Sequence, residues 1–209
     1  MTIIRKAFTD RLRTTSMFPG GFTQNQVNGI DAILDAWEAS ALTDLRWLAY
    51  MFATVFHETA KTMQPVRETL AANDNQAIQI LEKSWAAGRM PWVKTPYWRP
   101  DANGKSWLGR GLVQLTFEAN YLRLGNIIGV DLVGNPDLAM QMPIAIKILF
   151  EGMTKGASNR GDFTGLSLEN FFNSTTEDWV NARKIINSLD QAALIGGYGR
   201  AFYGALKAA

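Results

Sequence analysis

Between positions 45 and 56 the apolar residues Leu45, Leu48, Ala49, Phe52, Val55 and Phe56 recur at spacings of three and four, the period of one face of an α-helix. They would form a buried stripe. Thr43-Asp44 supplies an N-cap for that helix, because a short polar side chain can bond the unpaired N–H groups of the first turn. The same helix carries Glu58 near its C-terminal end, on one ridge with Trp47, Met51 and Thr54 at the edge of the stripe. A second carboxylate, Glu68, follows beyond Pro65. In an unbroken helix the two would lie about 15 Å apart. The residue before a proline leaves the helical region, so Gln64-Pro65 supplies a break that lets the chain turn back.

The rest of the chain reads as further helices. Residues 4–17 are amphipathic and stop at Pro19-Gly20-Gly21, and Thr23 with Gln26 three residues on forms a capping box that opens a helix to about Glu38. Helices are also expected at 73–88, 117–128, 136–155, 176–187 and 190–207, while β-branched runs of period two are nearly absent. Residues 88–107, rich in Pro, Gly and Trp, have no clean periodicity. The expected fold is mainly α. Its 209 residues suffice for one domain, with a small lobe or insertion at about 73–107 and no separate binding module.

Composition excludes several classes. There is no cysteine, hence no disulfide and no thiolate metal site, and folding in a reducing cytosol is the simplest expectation. The first residues lack the continuous apolar core of a signal peptide. The near-apolar run 47–56 is half of the roughly 20 residues that cross a bilayer. A formal charge of +2 and a pI near 8.9 suit an acidic polymer but are too weak to argue for nucleic acid.

His57-Glu58 lacks the second histidine that a zinc-protease helix needs four residues on, since Lys61 stands there and His57 is the one histidine of the chain. His57 reads as a packing or hydrogen-bonding neighbour of the site. Glu58 is either a surface glutamate at a helix end or a general acid, on a partly apolar flank where desolvation favours the protonated form. Glu82 and Glu118 compete with Glu68 for the role of base. Downstream, Gly109-Arg110-Gly111 is a tight turn, after which Gln114, Thr116 and Asn120 are polar groups amid apolar ones, a pattern suited to lining a cleft.

Taken in order, His57-Glu58-Thr59, Gly109-Arg110-Gly111 with Gln114-Leu115-Thr116 and Asn120-Tyr121, Asn135-Pro136-Asp137-Leu138, residues 183–187 and residues 200–203 resemble glycoside hydrolase family 19. This is the family of class I chitinases and of many bacteriophage endolysins, and the resemblance covers most of residues 45–205. It implies a lysozyme-like helical fold with a cleft between a larger and a smaller lobe, and no metal or cofactor. Glu58 then looks like the general acid and Glu68 like the general base of the short-looped phage members, with Thr116 matching the residue that helps the base hold a water. Gln114, Asn120, Tyr121 and Asn187 match residues lining the sugar cleft, and Arg200 matches an arginine that supports the carboxylates.

Two departures stand out: Ser188-Leu189 follows Asn187 where the family more often has Gly-Gly, and the cysteines of the plant members are absent. The short, cysteine-free chain points to a lysis enzyme. Residues 73–110 add Trp85, Trp92, Trp98 and Trp107, with six basic residues against three acidic ones. Aromatic faces stack on sugars and the charge favours an anionic glycan, while for any single Trp a small hydrophobic sub-core with a solvated basic rim is an equal reading. Trp98 and Trp107 are accordingly expected, with His57, among the substrate contacts. The expected activity is inverting hydrolysis of the β-1,4 glycan strands of peptidoglycan by a monomer made in the host cytoplasm, which reaches the wall through a separate membrane-permeabilising lysis protein. The rivals are a chitinase of the same fold, an inactive glycan-binding protein and a basic nucleic-acid binder.

Overall fold

The computed structural model describes residues 2–209. Its helices are α1 (Arg5–Arg13), α2 (Gln24–Ala39), α3 (Leu45–Glu58), α4 (Asp74–Ala86), α5 (Glu118–Ile128), α6 (Met142–Met153) and α7 (Ala192–Leu206). The strands β1 (Val66–Arg67) and β2 (Arg110–Gly111) pair antiparallel, with Val66 opposite Gly111 and Arg67 opposite Arg110. The fold is mainly helical, as the periodicity predicts.

Helix α3 is the centre of the larger lobe. Every residue from 48 to 56 is buried, more than the one stripe expected, because α1, α6 and α7 close around it. Phe52 lies 5.5 Å from the ring of Phe8 on α1 and 5.3 Å from that of Phe202 on α7. Each such side chain contributes about 1.5–3 kcal/mol when removed from water. With residues 48–56 buried, α3 meets solvent at its two ends, and its last turn carries His57 and Glu58, both half-buried.

The chain does not wait for Pro65 to leave the helix. Ala60 adopts a left-handed φ of 48°, its N–H bonds the carbonyl of His57 (3.1 Å), and the N–H of Lys61 reaches back to Phe56 (2.8 Å). This is the paired-bond helix stop that normally ends in glycine. Thr59 seals it by donating to the carbonyl of Val55 (2.7 Å) while accepting from the N–H of Met63 (3.1 Å). The following loop is pinned to α2 by Gln26, which bonds the Lys61 carbonyl (2.9 Å), and by Gln64, which bonds that of Asn25 (2.5 Å). Because a Cβ is disfavoured in the left-handed region, Ala60→Gly is expected to stabilise the protein by about 0.5–1 kcal/mol, read as a higher urea midpoint.

Two expected helices differ. Residues 136–155 divide into a 3₁₀ helix, Pro136–Met140, and α6, because Pro143 in a continuous helix would clash with the carbonyl of Ala139 and offer it no N–H. Residues 176–187 form only the 3₁₀ helix Asn181–Ile185. There Asp178 accepts from the backbone and side chain of Asn181 (2.9 and 2.7 Å), local bonds that compete with an α-helix.

The smaller lobe has its own core of Ala77, Leu81, Trp98 and Leu108, flanked by Trp85, Val93 and Tyr97. Helix α4 begins at Asn73, whose side chain caps the N–H of Gln76 (3.0 Å), and β1 and β2 join this lobe to the larger one.

Candidate active site

A cleft of about 540 Å³ runs between the lobes. Glu58, Phe163, Ile186 and Asn187 bound it from the larger lobe, Trp92, Lys94 and Tyr97 from the smaller one, and Gln114, Thr116, Phe117 and Asn120 from the segment leading into α5.

Glu58 is held by Arg183, whose Nη1 donates to Oε1 at 2.5 Å; the side chains are 14% and 4% exposed. A buried arginine on a half-buried carboxyl makes a charge pair that borders solvent on the cleft side only. Arg183 also donates through Nε to the carbonyl of Asp190 (3.3 Å). It comes from a segment 125 residues away, so helix periodicity gave no sign of the pairing, although residues 183–187 were among those carrying the family resemblance. Arg200, expected beside the carboxylates, is exposed on α7. It faces away because α7 turns Ile195, Gly199 and Phe202 towards the core, and the arginine on Glu58 is Arg183.

Glu68 follows β1 and opens a 3₁₀ turn. Its Oε1 accepts from the Tyr97 hydroxyl at 2.6 Å and its Oε2 from the N–H of Gly109 at 2.8 Å. Burial and then the Glu68 charge push the Tyr97 hydroxyl well above its ordinary pKa, so it remains a donor. Glu68 stands behind the cleft wall and reaches it through Tyr97.

Gly109 is the point on which the other polar groups converge. A Cβ there would lie 2.9 Å from Oε1 of Gln114 and 3.3 Å from Oγ1 of Thr116, so a larger residue would push these side chains back from the backbone that binds Glu68. Thr116 donates to the carbonyl of Gln114 (2.8 Å), which leaves its oxygen lone pairs to accept from a water. Asn120 donates to the carbonyl of Thr116 (2.8 Å) and keeps its own oxygen for a ligand. The competing carboxylates are elsewhere: Glu82 is bonded to the Trp98 indole (2.6 Å) and to Arg99 (2.8 Å), and Glu118 is exposed at the start of α5.

Three aromatic residues expected at the sugar are in the core. Tyr121 is fully buried and its hydroxyl donates to the Leu108 carbonyl (2.9 Å). Trp98 is fully buried as the centre of the small core, and Trp107, 7% exposed, packs 5.4 Å from the Tyr121 ring. Trp98 fills the smaller core, and Trp107 and Tyr121 belong to the larger one. Of the aromatic residues bounding the cleft, Trp92, 73% exposed, and Phe117, 52% exposed, are largely open to solvent.

His57 lies beside this constellation and is outside the cleft lining. Burial lowers its pKa from 6.5 and the Arg183 charge adds to this, against opposing pulls from Glu58 and Asp190. The folded state therefore binds fewer protons than the unfolded one, so stability is full above pH 6.5 and falls as pH drops below it. As the chain has no other histidine, His57→Gln is expected to flatten the stability slope between pH 6.5 and the carboxylate range, measured by urea unfolding across that interval.

Glu58 on the cleft and Glu68 behind its wall, with the Thr116 hydroxyl close to the backbone that binds Glu68, are the kinds of group that glycoside hydrolysis uses. The sequence profile described as chitinase class I, glycoside hydrolase family 19, matches residues 40–159, and the chain belongs to that family. It is 47% identical over 45 residues to endochitinase A2 of Pisum sativum and 50% identical over 52 residues to endochitinase 1 of Theobroma cacao. Those segments make up 22% and 24% of this chain but only 14% and 16% of the plant proteins. Among solved structures, chitinase C from Streptomyces griseus HUT6037 is 19% identical with a TM-score of 0.43, over 94% of this chain and 93% of that one. A bacterial family 19 chitinase is 20% identical with a TM-score of 0.38, over 95% of both chains.

Proposed function

We propose that the protein hydrolyses β-1,4 bonds of the glycan strands of bacterial peptidoglycan with inversion, as an endolysin. The observation that supports acid/base hydrolysis is Glu58 on the cleft, held by Arg183, with Glu68 behind the cleft wall, held by Tyr97 and Gly109. Glu58 gives its proton to the leaving oxygen, and Arg183 stabilises the carboxylate that remains. Glu68 and Thr116 take hold of a water and direct it to the opposite face of the anomeric carbon. Trp92 and Phe117 offer faces for sugar rings, and Asn120, Gln114 and Asn187 offer hydrogen bonds. As the water attacks, Glu68 takes its proton while Glu58 gives one to the leaving oxygen, so the protons balance and the steps ask for no metal or cofactor.

Lys94 supports the anionic substrate, because among the described residues it is the one basic side chain bounding the cleft, and peptidoglycan carries carboxylates on its peptide stems. In this reading a monomer acts on the wall after a separate lysis protein has opened the membrane. The second reading is a chitinase, favoured by the family's description and by the names of the plant relatives. Parallel digestion of purified sacculi and chitin separates the two. Mass spectrometry of the sacculus products shows which sugar carries the new reducing end, and NMR of the first-formed anomer tests inversion. Cleavage of chitin alone would replace peptidoglycan as the substrate. Binding to sacculi without new reducing ends would mark an inactive glycan binder.

A further inference from the structure

Behind Glu68 four charged side chains close into a ring. Arg67 donates through Nε to Oδ1 of Asp74 (2.8 Å) and through Nη2 to Oδ2 of Asp137 (2.5 Å). Arg110 donates through Nε to Oδ1 of Asp137 (3.0 Å) and through Nη2 to Oδ2 of Asp74. Each arginine touches both aspartates, and each aspartate gives one oxygen to each arginine. The Arg110 side chain is 1% exposed and that of Arg67 15%. Nη1 of Arg110 is used up by the carbonyls of Ser106 and Leu108 and the hydroxyl of Tyr121, at 3.0–3.2 Å.

The ring's place in the fold distinguishes it from a surface ion cluster. Arg67 and Arg110 are cross-strand partners in the β1–β2 pair, a position where like charges repel; the two aspartates between them remove the repulsion. Asp74 stands in the first turn of α4, in the smaller lobe, and Asp137 in the 3₁₀ helix that packs on the larger core. The ring therefore ties both lobes to the strand pair.

Glu68 is the next residue after Arg67, and Gly109 the one before Arg110. Those two neighbours exchange two bonds, from the Glu68 N–H to the Gly109 carbonyl and from the Gly109 N–H to Oε2 of Glu68, each 2.8 Å. On the other side of Glu68, Thr69 and Leu70 hold left-handed φ values of 64° and 58°, a conformation that residues with a Cβ resist. The carboxylate thus sits between a backbone under strain and a strand pair locked by charge.

We propose that the Arg67–Asp74–Arg110–Asp137 ring is a positioning device for Glu68, fixing the β1–β2 register and the span between the lobes so that the base is held at the cleft wall. The four are positioning residues, since none lines the cleft. The inference rests on reading Glu68 as the base.

Arg67→Gln and Asp137→Asn test it with opposite signs. The intact ring is neutral. Arg67→Gln leaves a net negative charge next to the base, which favours its protonated form and moves the acidic limb of the kcat/KM profile to higher pH; Asp137→Asn leaves a net positive charge and moves the limb to lower pH. In both, kcat is expected to fall about 10- to 100-fold with KM within about twofold, because geometry at the reacting centre is lost and binding is not. Arg67→Lys keeps the charge without the two-armed bridge: its limb stays in place while kcat still falls, and it provides the positioning readout should either neutral variant fail to fold. The probes are solubilised glycan strands and soluble chitin oligosaccharides, with circular dichroism to establish folding. Folded variants with wild-type kcat, or limbs that stay put or move together in the two neutral variants, would overturn the proposal. Glu68→Gln run alongside separates the two levels: if it keeps activity, Glu68 is not the base, whereas if it is inactive while the ring variants are normal, only the ring proposal fails.

Discussion

Glu58→Gln is expected to lower kcat about 10²- to 10⁴-fold, the usual contribution of a positioned general acid, on whichever of peptidoglycan or chitin the protein cleaves. The glutamine oxygen can still accept from Arg183, so the fold survives. The variant leaves the buried guanidinium without its counter-charge, and a loss of about 1–3 kcal/mol in unfolding free energy should accompany the loss of rate. Reducing-end assays on the purified variant, with urea unfolding in parallel, read both. A folded Glu58→Gln protein with near-normal turnover would remove Glu58 from the mechanism.

Arg183→Met acts on the same pair from the other side and should be the more damaging to stability. It keeps much of the side-chain volume but leaves the Glu58 carboxyl, 14% exposed, without its cation. Breaking a buried pair by removing one partner costs about 3–5 kcal/mol; the low end is expected here, because Glu58 borders the cleft and can turn to water. Turnover should fall as well, since the carboxylate formed on proton donation loses the charge that stabilises it. An unfolding free energy within about 1 kcal/mol of wild type would mean that the pair is as weak as an exposed one.

The two carboxylates are thus fixed by different physics. Glu58 sits at the end of a helix buried on every side and depends on one long-range charge pair. Glu68 sits on two residues of strand and depends on Tyr97, Gly109 and the ion ring. The first arrangement is rigid because α3 is. The second is rigid only while groups from both lobes hold it, which is why variants in the ring are predicted to change rate before binding.

How much of this the sequence made legible depends on the range of the interactions. The capping box of Thr23 and Gln26 forms as read, with Gln26 N–H on the Thr23 hydroxyl at 3.2 Å and the Thr23 N–H on the Gln26 side chain at 2.8 Å. Asp44 and Asn73 cap α3 and α4. These are contacts within three residues, where side-chain chemistry and helix period decide the outcome. Where local bonds compete with the helix, as at Asp178 and Asn181, periodicity misled.

By itself, then, the sequence determined a helical protein, a central apolar helix ending in Glu58, and motifs that mark its family. Tertiary structure alone decided which arginine meets Glu58, which aromatic rings face the sugar, and what holds Glu68. Arg183 lies 125 residues from its partner, Trp98 and Tyr121 are withdrawn into cores built largely by other segments, and the four members of the ring come from four segments. A pattern of period 3.6 reports which face of a helix is apolar. It does not report which distant segment covers that face, and in this protein the covering segments supply the charges on which the proposed chemistry rests.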